Sequence, residues 1–214
     1  MNPVEAGPRK RLHPALKAAA ALVALAAVGF LFVRSVADTR AEPYEIASAH
    51  LSGWTLSADL AQDAEDAALS LRPPAELTMN LFRQLFRRQM ESLSTPTSPG
   101  IVLVLRRELA AGAGAAQLLA LARETGLERA RPAPRCVGYR RVSATGVTRQ
   151  LYFVWFSLPE YDVFRRSLAP HTTNTYRPEN LSPVMLTAAE PGFSGWHPVV
   201  VDEGRDCVAP ITVR

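Results

Sequence analysis

The residues able to do chemistry in this chain are few and scattered. Beyond the N-terminal segment there are three histidines, His50, His171 and His197. None stands in a His-Glu-x-x-His spacing, which would set two imidazoles on one helix face for zinc. A hydrolase could pair His171 with Asp162 and a serine, because such triads assemble in space rather than along the chain. Nothing in the spacing selects that set, so no catalytic residue is assigned. The nearest approach to a nucleophile elbow, Gly192-Phe193-Ser194-Gly195, has the wrong spacing.

Phosphate and metal chemistry fare no better. Gly112-Ala113-Gly114 lies between an apparent strand and a helix, where a dinucleotide fingerprint would sit. It lacks the third glycine, and Arg106, Arg107 and Glu108 separate it from the strand, so it reads as an Ala/Gly-rich helix start. Asp202, Glu203 and Asp206 cluster near the C-terminus but fall short of an EF-hand pattern. A solvated turn is expected there. No cofactor and no metal site is expected.

The irregular segment most suited to binding is His171-Thr172-Thr173-Asn174-Thr175-Tyr176-Arg177. It is polar, carries an aromatic and a cation, and follows a short helix, and loops on rigid scaffolds often carry recognition. His171, Asn174, Tyr176 and Arg177 are its candidate binding residues. The two cysteines, Cys136 and Cys207, each open or enter an apparent strand. Without a Cys-x-x-Cys they form neither a thioredoxin-type site nor a zinc clip. In an exported domain they are expected to pair, closing a loop of about 70 residues worth about 4 kcal/mol by chain entropy. Two unpaired cysteines buried as small hydrophobes are the alternative.

The compartment follows from the N-terminus. Ala18 to Val33 carries no charge, and extending it back over Lys17 to Ala15 gives residues 15–33. That length approaches the roughly 20 residues needed to cross a bilayer core. Arg9, Lys10, Arg11 and Lys17 precede or begin it, which places residues 1–14 in the cytoplasm by the positive-inside tendency. Residues 34–43 read as a tether and 44–214 as an extracytoplasmic domain. The segment reads as a retained anchor, or as a signal peptide cleaved at Ser35-Val36-Ala37; its length and Arg34 favour the anchor. The net charge of +4 resides entirely in residues 1–40, and the rest of the chain is neutral. A nucleic-acid binder carries its excess on the binding domain, so nucleic acid is not an expected partner.

The outer domain reads as α+β. Strands are expected at Tyr44–Ala49, Trp54–Ser57, Ala67–Leu71, Ile101–Leu105, Cys136–Ser143, Thr148–Ser157, Val184–Thr187, His197–Asp202 and Cys207–Val213. Five consecutive apolar residues at Ile101–Leu105 mark a strand buried on both faces. Glu203-Gly204-Arg205 would turn the last two strands into a hairpin. Arg131–Arg135 reads as a stiff connector. The clearest helix is Glu76–Leu93, where Leu77, Leu81 and Leu85 step by four and Phe82, Phe86, Met90 and Leu93 widen the apolar arc. Arg87 and Glu91 are spaced for an ion pair, and the Arg87-Arg88 doublet reads as part of a solvated face. A second helix spans about Ala113 to Thr125, with Gly126 ending it. A third begins near Ser157-Leu158-Pro159-Glu160, read as a capping box. Leu71 to Glu76 and Leu158 to Glu160 are alike, each running into a helix that carries Phe-Arg, and this suggests an internal pseudo-repeat.

The expectation is one mixed or antiparallel sheet with about three helices, behind a transmembrane helix. Its function is read as binding of a protein partner or envelope component without catalysis. The alternatives are an exported hydrolase with a histidine base and a small-molecule sensor or carrier. The oligomeric state is not legible.

Overall fold

The computed structural model describes residues 14–59, 67–89, 91–144, 147–173, 181–191 and 200–214. They divide into two compact units, one running up to Thr39 and one spanning Arg40–Arg214.

The first unit is built on α1 (Pro14–Ala41), a 28-residue helix. Its window Ala18–Ser35 has a mean hydropathy of 2.0 and none of it is buried. A helix apolar on every face and uncovered by protein suits a bilayer or a secretion channel rather than water. The helix runs through Arg34–Ala41, where an irregular tether was expected. Once nucleated, a helix extends cheaply through Ala, Arg and Thr, and no Gly or Pro intervenes before Pro43, which disfavours helix in the residue ahead of it.

The second unit is a single mixed sheet of eight strands. In chain order these are β1 (Tyr44–Ile46), β2 (Thr55–Ala58), β3 (Ala67–Arg72), β4 (Ile101–Leu105), β5 (Ala133–Ala144), β6 (Val147–Ser157), β7 (Val184–Ala189) and β8 (Cys207–Val213). The order across the sheet is β1-β8-β5-β6-β7-β4-β3-β2. Among the described residues β1 and β8 pair in parallel, and the other strand pairs are antiparallel. The helices are α2 (Ala75–Gln89), α3 (Ala115–Glu124), α4 (Pro159–Leu168) and the single turn α5 (Glu203–Asp206). Two strand–strand–helix–strand units follow one another, β2-β3-α2-β4 and β5-β6-α4-β7, and β4 meets β7 between them.

The pleat sorts the core onto two faces. On β6, Tyr152, Val154 and Phe156 join Leu77, Leu81 and Leu85 of α2, Leu118 of α3, and Tyr161, Phe164 and Leu168 of α4. The alternate residues Leu151 and Phe153 turn to the opposite face with Val184 and Leu186 of β7, and Val201 packs there. Every residue of β4 is buried, as its unbroken apolar run requires. Gly138 pairs with Phe153 in register. A Cβ at Gly138 would overlap the Phe153 ring, so the ring fills the space that glycine leaves.

Several local expectations are corrected. Ala133–Arg135 are part of β5 rather than of a connector. Pro134 is tolerated because β8 pairs with β5 only from Cys136 onward, leaving that side of the strand without a ladder. Ser157 closes β6 opposite Ala133, so Leu158 becomes the N-cap of α4 and no side chain caps it. Residues 200–202 have no strand pairing, α5 replaces the turn, and β8 pairs with β5 and β1. The helix α2 stops at Gln89, and Glu91 accepts a hydrogen bond from the Tyr152 hydroxyl at 3.3 Å instead of joining an intrahelical pair. Gly126 does end α3, in the left-handed region at φ 84°. Residues 60–66 and 197–199 lie outside the described residues.

Candidate functional site

Cys136 and Cys207 are joined by a disulfide, with their Cα atoms 5.8 Å apart. The bond crosses from β5 to β8, where Gly138 is the register partner of Cys207. One residue earlier in the chain, Asp206 is buried and accepts a paired hydrogen bond from Arg140 of β5, with Nε at 3.1 Å from Oδ1 and Nη2 on Oδ2. Arg205 Nε and the Asp202 amide also donate to it, at 3.2 and 2.8 Å. Burial alone would raise this carboxyl's pKa. The donors from Arg140, Asp202 and Arg205 outweigh burial and hold it well below the usual carboxylate range. Asp202, Glu203 and Arg205 are exposed, as a solvated turn requires, but Asp206 turns inward and forms an ionic clasp with Arg140 beside the disulfide. No group of three metal-ligating side chains occurs among the described residues.

The candidate binding loop is only partly described. His171 ends the turn after α4, and its Nδ1 lies 3.2 Å from Gln117 Nε2 of α3. The Ala110 amide donates to the His171 carbonyl at 2.9 Å, and the Thr173 amide to the Glu108 carbonyl at 2.8 Å. The loop thus starts stapled to the segment after β4. Asn174, Tyr176, Arg177 and His197 lie outside the described residues. Among the described residues the ring of His171 is partnered by Gln117, not by Asp162 or a serine. His50 sits in the 3₁₀ turn after β1, and its Nδ1 is buried without a hydrogen-bond partner among the described residues.

Glu108, whose carbonyl holds the Thr173 amide, belongs to a pair that the sequence did not single out. Arg165 of α4 donates from Nη1 to Glu108 Oε2 at 2.6 Å and to the Leu103 carbonyl at 2.8 Å. Both side chains are out of water. A signal was present: Arg165 is four residues after Tyr161 and three before Leu168, inside the apolar arc of α4 rather than opposite it.

A groove of about 600 Å³ lies between the turn after β1 and the start of β5. Leu51, Ser52, Trp54, Arg131 to Pro134 and Val213 are among the residues that line it. It opens because β8 leaves β5 at Pro210 and pairs onward with β1, while Pro132 and Pro134 offer no amide to hold it. Trp54 stands edge-on to Phe156, with ring centroids 5.4 Å apart, and its buried indole N–H has no acceptor among the described residues. Arg129 and Arg131 are exposed at the rim. The groove can seat an apolar or aromatic group against an indole, with Arg129, Arg131 and the Glu128 carboxylate beside it.

The chain matches no known family. No protein-family model, no curated protein and no solved structure is similar enough to it to count as a match.

Proposed function

We propose that this protein is a single-pass membrane protein whose C-terminal domain lies outside the cytoplasm and binds a protein partner or envelope component without catalysis. The observation that carries this reading is the exposed apolar window Ala18–Ser35 of α1 ahead of a domain closed by a disulfide. A disulfide persists in oxidising compartments. The cations before α1 favour a cytoplasmic N-terminus, and a retained anchor is favoured over cleavage near Ala37.

The Trp54 groove supports the binding part of the reading, since an indole beside exposed arginines is the chemistry of binding hot spots. Its volume also lies in the range of small-molecule sites, which favours a carrier or sensor role as the second reading.

The test is made in intact cells. An impermeant thiol reagent should label Cys136 and Cys207 only after reduction, on a chain that keeps its N-terminus. A photocrosslinker at Ser52 should then trap an envelope component, and one at Val208 should not. Thiols that are free and reach reagent only after lysis would put the domain in the cytoplasm. A chain starting near Asp38 would make it an exported protein. Crosslinking to a soluble metabolite analogue but to no macromolecule would favour the carrier.

A further inference from the structure

We propose that the outward face of α2 is a membrane-docking surface, seated on the anionic headgroup layer of the bilayer that holds α1. The inference rests on the anchor reading above.

Leu77, Leu81 and Leu85 are fully buried on the inner side of α2. On the outer side Met79 and Phe86 are 43% and 52% exposed. Phe82 stacks on Phe86 with centroids 6.1 Å apart. At 100° per residue Met79, Arg83 and Phe86 fall almost on one line, with Arg87 and Phe82 to either side. Arg83, Arg87 and Arg72 are exposed. A purely solvated helix face would be polar all round. Aromatic and thioether groups interleaved with arginines are the composition of a helix lying in a lipid interface, where rings enter the acyl boundary and guanidinium groups reach phosphates. The one acid on this side, Glu76, sits in the first turn, where it favours the helix N-terminus.

The occupant follows from where the chain enters the domain. Arg88 of α2 donates to the carbonyls of Glu42 and Pro43, the latter at 2.9 Å. Its guanidinium lies over the Tyr44 ring at 4.0 Å. Gln84 brackets Glu45, accepting from its amide at 3.0 Å and donating to its carbonyl at 2.7 Å. The last turns of α2 are thus tied to the entry point. The apolar window ends at Ser35, and the few residues from there to Glu42 span at most roughly 25 Å however they fold. The anchor therefore holds α2 within reach of the headgroups, and tethering lets even weak docking succeed. Arginines meet the negative lipid surface and apolar side chains meet the boundary below it.

The full chain is reconstituted in vesicles of phosphatidylglycerol and phosphatidylcholine, and its retention is checked by flotation after an alkaline wash. A nitroxide is placed at Phe86→Cys or, as control, at Val208→Cys. Val208 is exposed beside Ala209, which faces the main core, so it points from the other side of the sheet. The ratio of oxygen to nickel-chelate accessibility should be several-fold higher at 86 than at 208. It should fall to the control value in Arg83→Glu/Arg87→Glu and in high salt. Protein that floats but shows equal ratios at both positions overturns the docking alone. Dipolar broadening between labels at 86 shows a second copy on this face and also overturns it. Protein stripped by the wash overturns the anchor reading, and the docking with it.

Discussion

Arg165 and Glu108 meet at 2.6 Å between α4 and the turn after β4, with side chains 3% and 0% exposed. Two charges so far from water are costly to separate, because removing one strands the other in a low-dielectric surrounding. Arg165→Met should therefore destabilise the domain by roughly 3–5 kcal/mol. The double variant Arg165→Met/Glu108→Leu should recover much of the loss. Urea unfolding of the four chains of this cycle measures it; additive losses would mean that the two groups act independently.

The disulfide acts on the unfolded chain. Cys136 and Cys207 are 71 residues apart. Freeing a loop of that length should remove about 4 kcal/mol. Cys136→Ser/Cys207→Ser, or reduction of the native protein, should lower the urea midpoint without changing the far-ultraviolet dichroism of the fold. An unchanged midpoint on reduction would remove the entropic role assigned to the bond.

Acid sensitivity should centre on Asp206. Its folded pKa lies below the ordinary value because the donors from Arg140, Asp202 and Arg205 outweigh its burial. A depressed carboxyl contributes stability that is fully present above its unfolded pKa of about 3.9 and is lost as pH falls toward the folded value. Wild type should thus lose stability faster than Asp206→Asn from about pH 5 downward. At pH 7 the variant should be the less stable of the two. Parallel acid limbs in a pH series of unfolding free energies would show that the clasp contributes nothing.

Gly138 leaves its space to Phe153. Gly138→Ala should cost about 1–3 kcal/mol through overpacking. Because the conflict is with one ring, adding Phe153→Leu should cost less in this background than in wild type. Equal costs in both backgrounds, measured by thermal unfolding at matched pH, would point to backbone conformation rather than to the ring.

Residues whose fate depends on near neighbours in the chain were legible. The charge-free run behind Arg9, Lys10 and Arg11 marks α1, since length and composition alone decide whether a helix can cross a bilayer. Leu77, Leu81 and Leu85 reveal the buried side of α2, and the unbroken Ile101–Leu105 reveals a strand covered on both faces. The pairing of Cys136 with Cys207 was also within reach, because a chain with two cysteines leaves one partner.

What depends on distant partners was decided only by the tertiary structure. Phe86 belongs to the same periodic arc as Leu85, yet it is half exposed, because what covers a helix flank is set by which strands curl beneath it. Asp206 looked like one carboxylate among three in a turn until β5 brought Arg140 against it. The Glu108–Arg165 pair joins residues 57 positions apart, and the Trp54 groove exists because β8 parts from β5 and turns to β1. Hydrophobic periodicity reports how a segment meets a core. It carries no information on which charges a sheet order brings together, and those juxtapositions make the candidate sites.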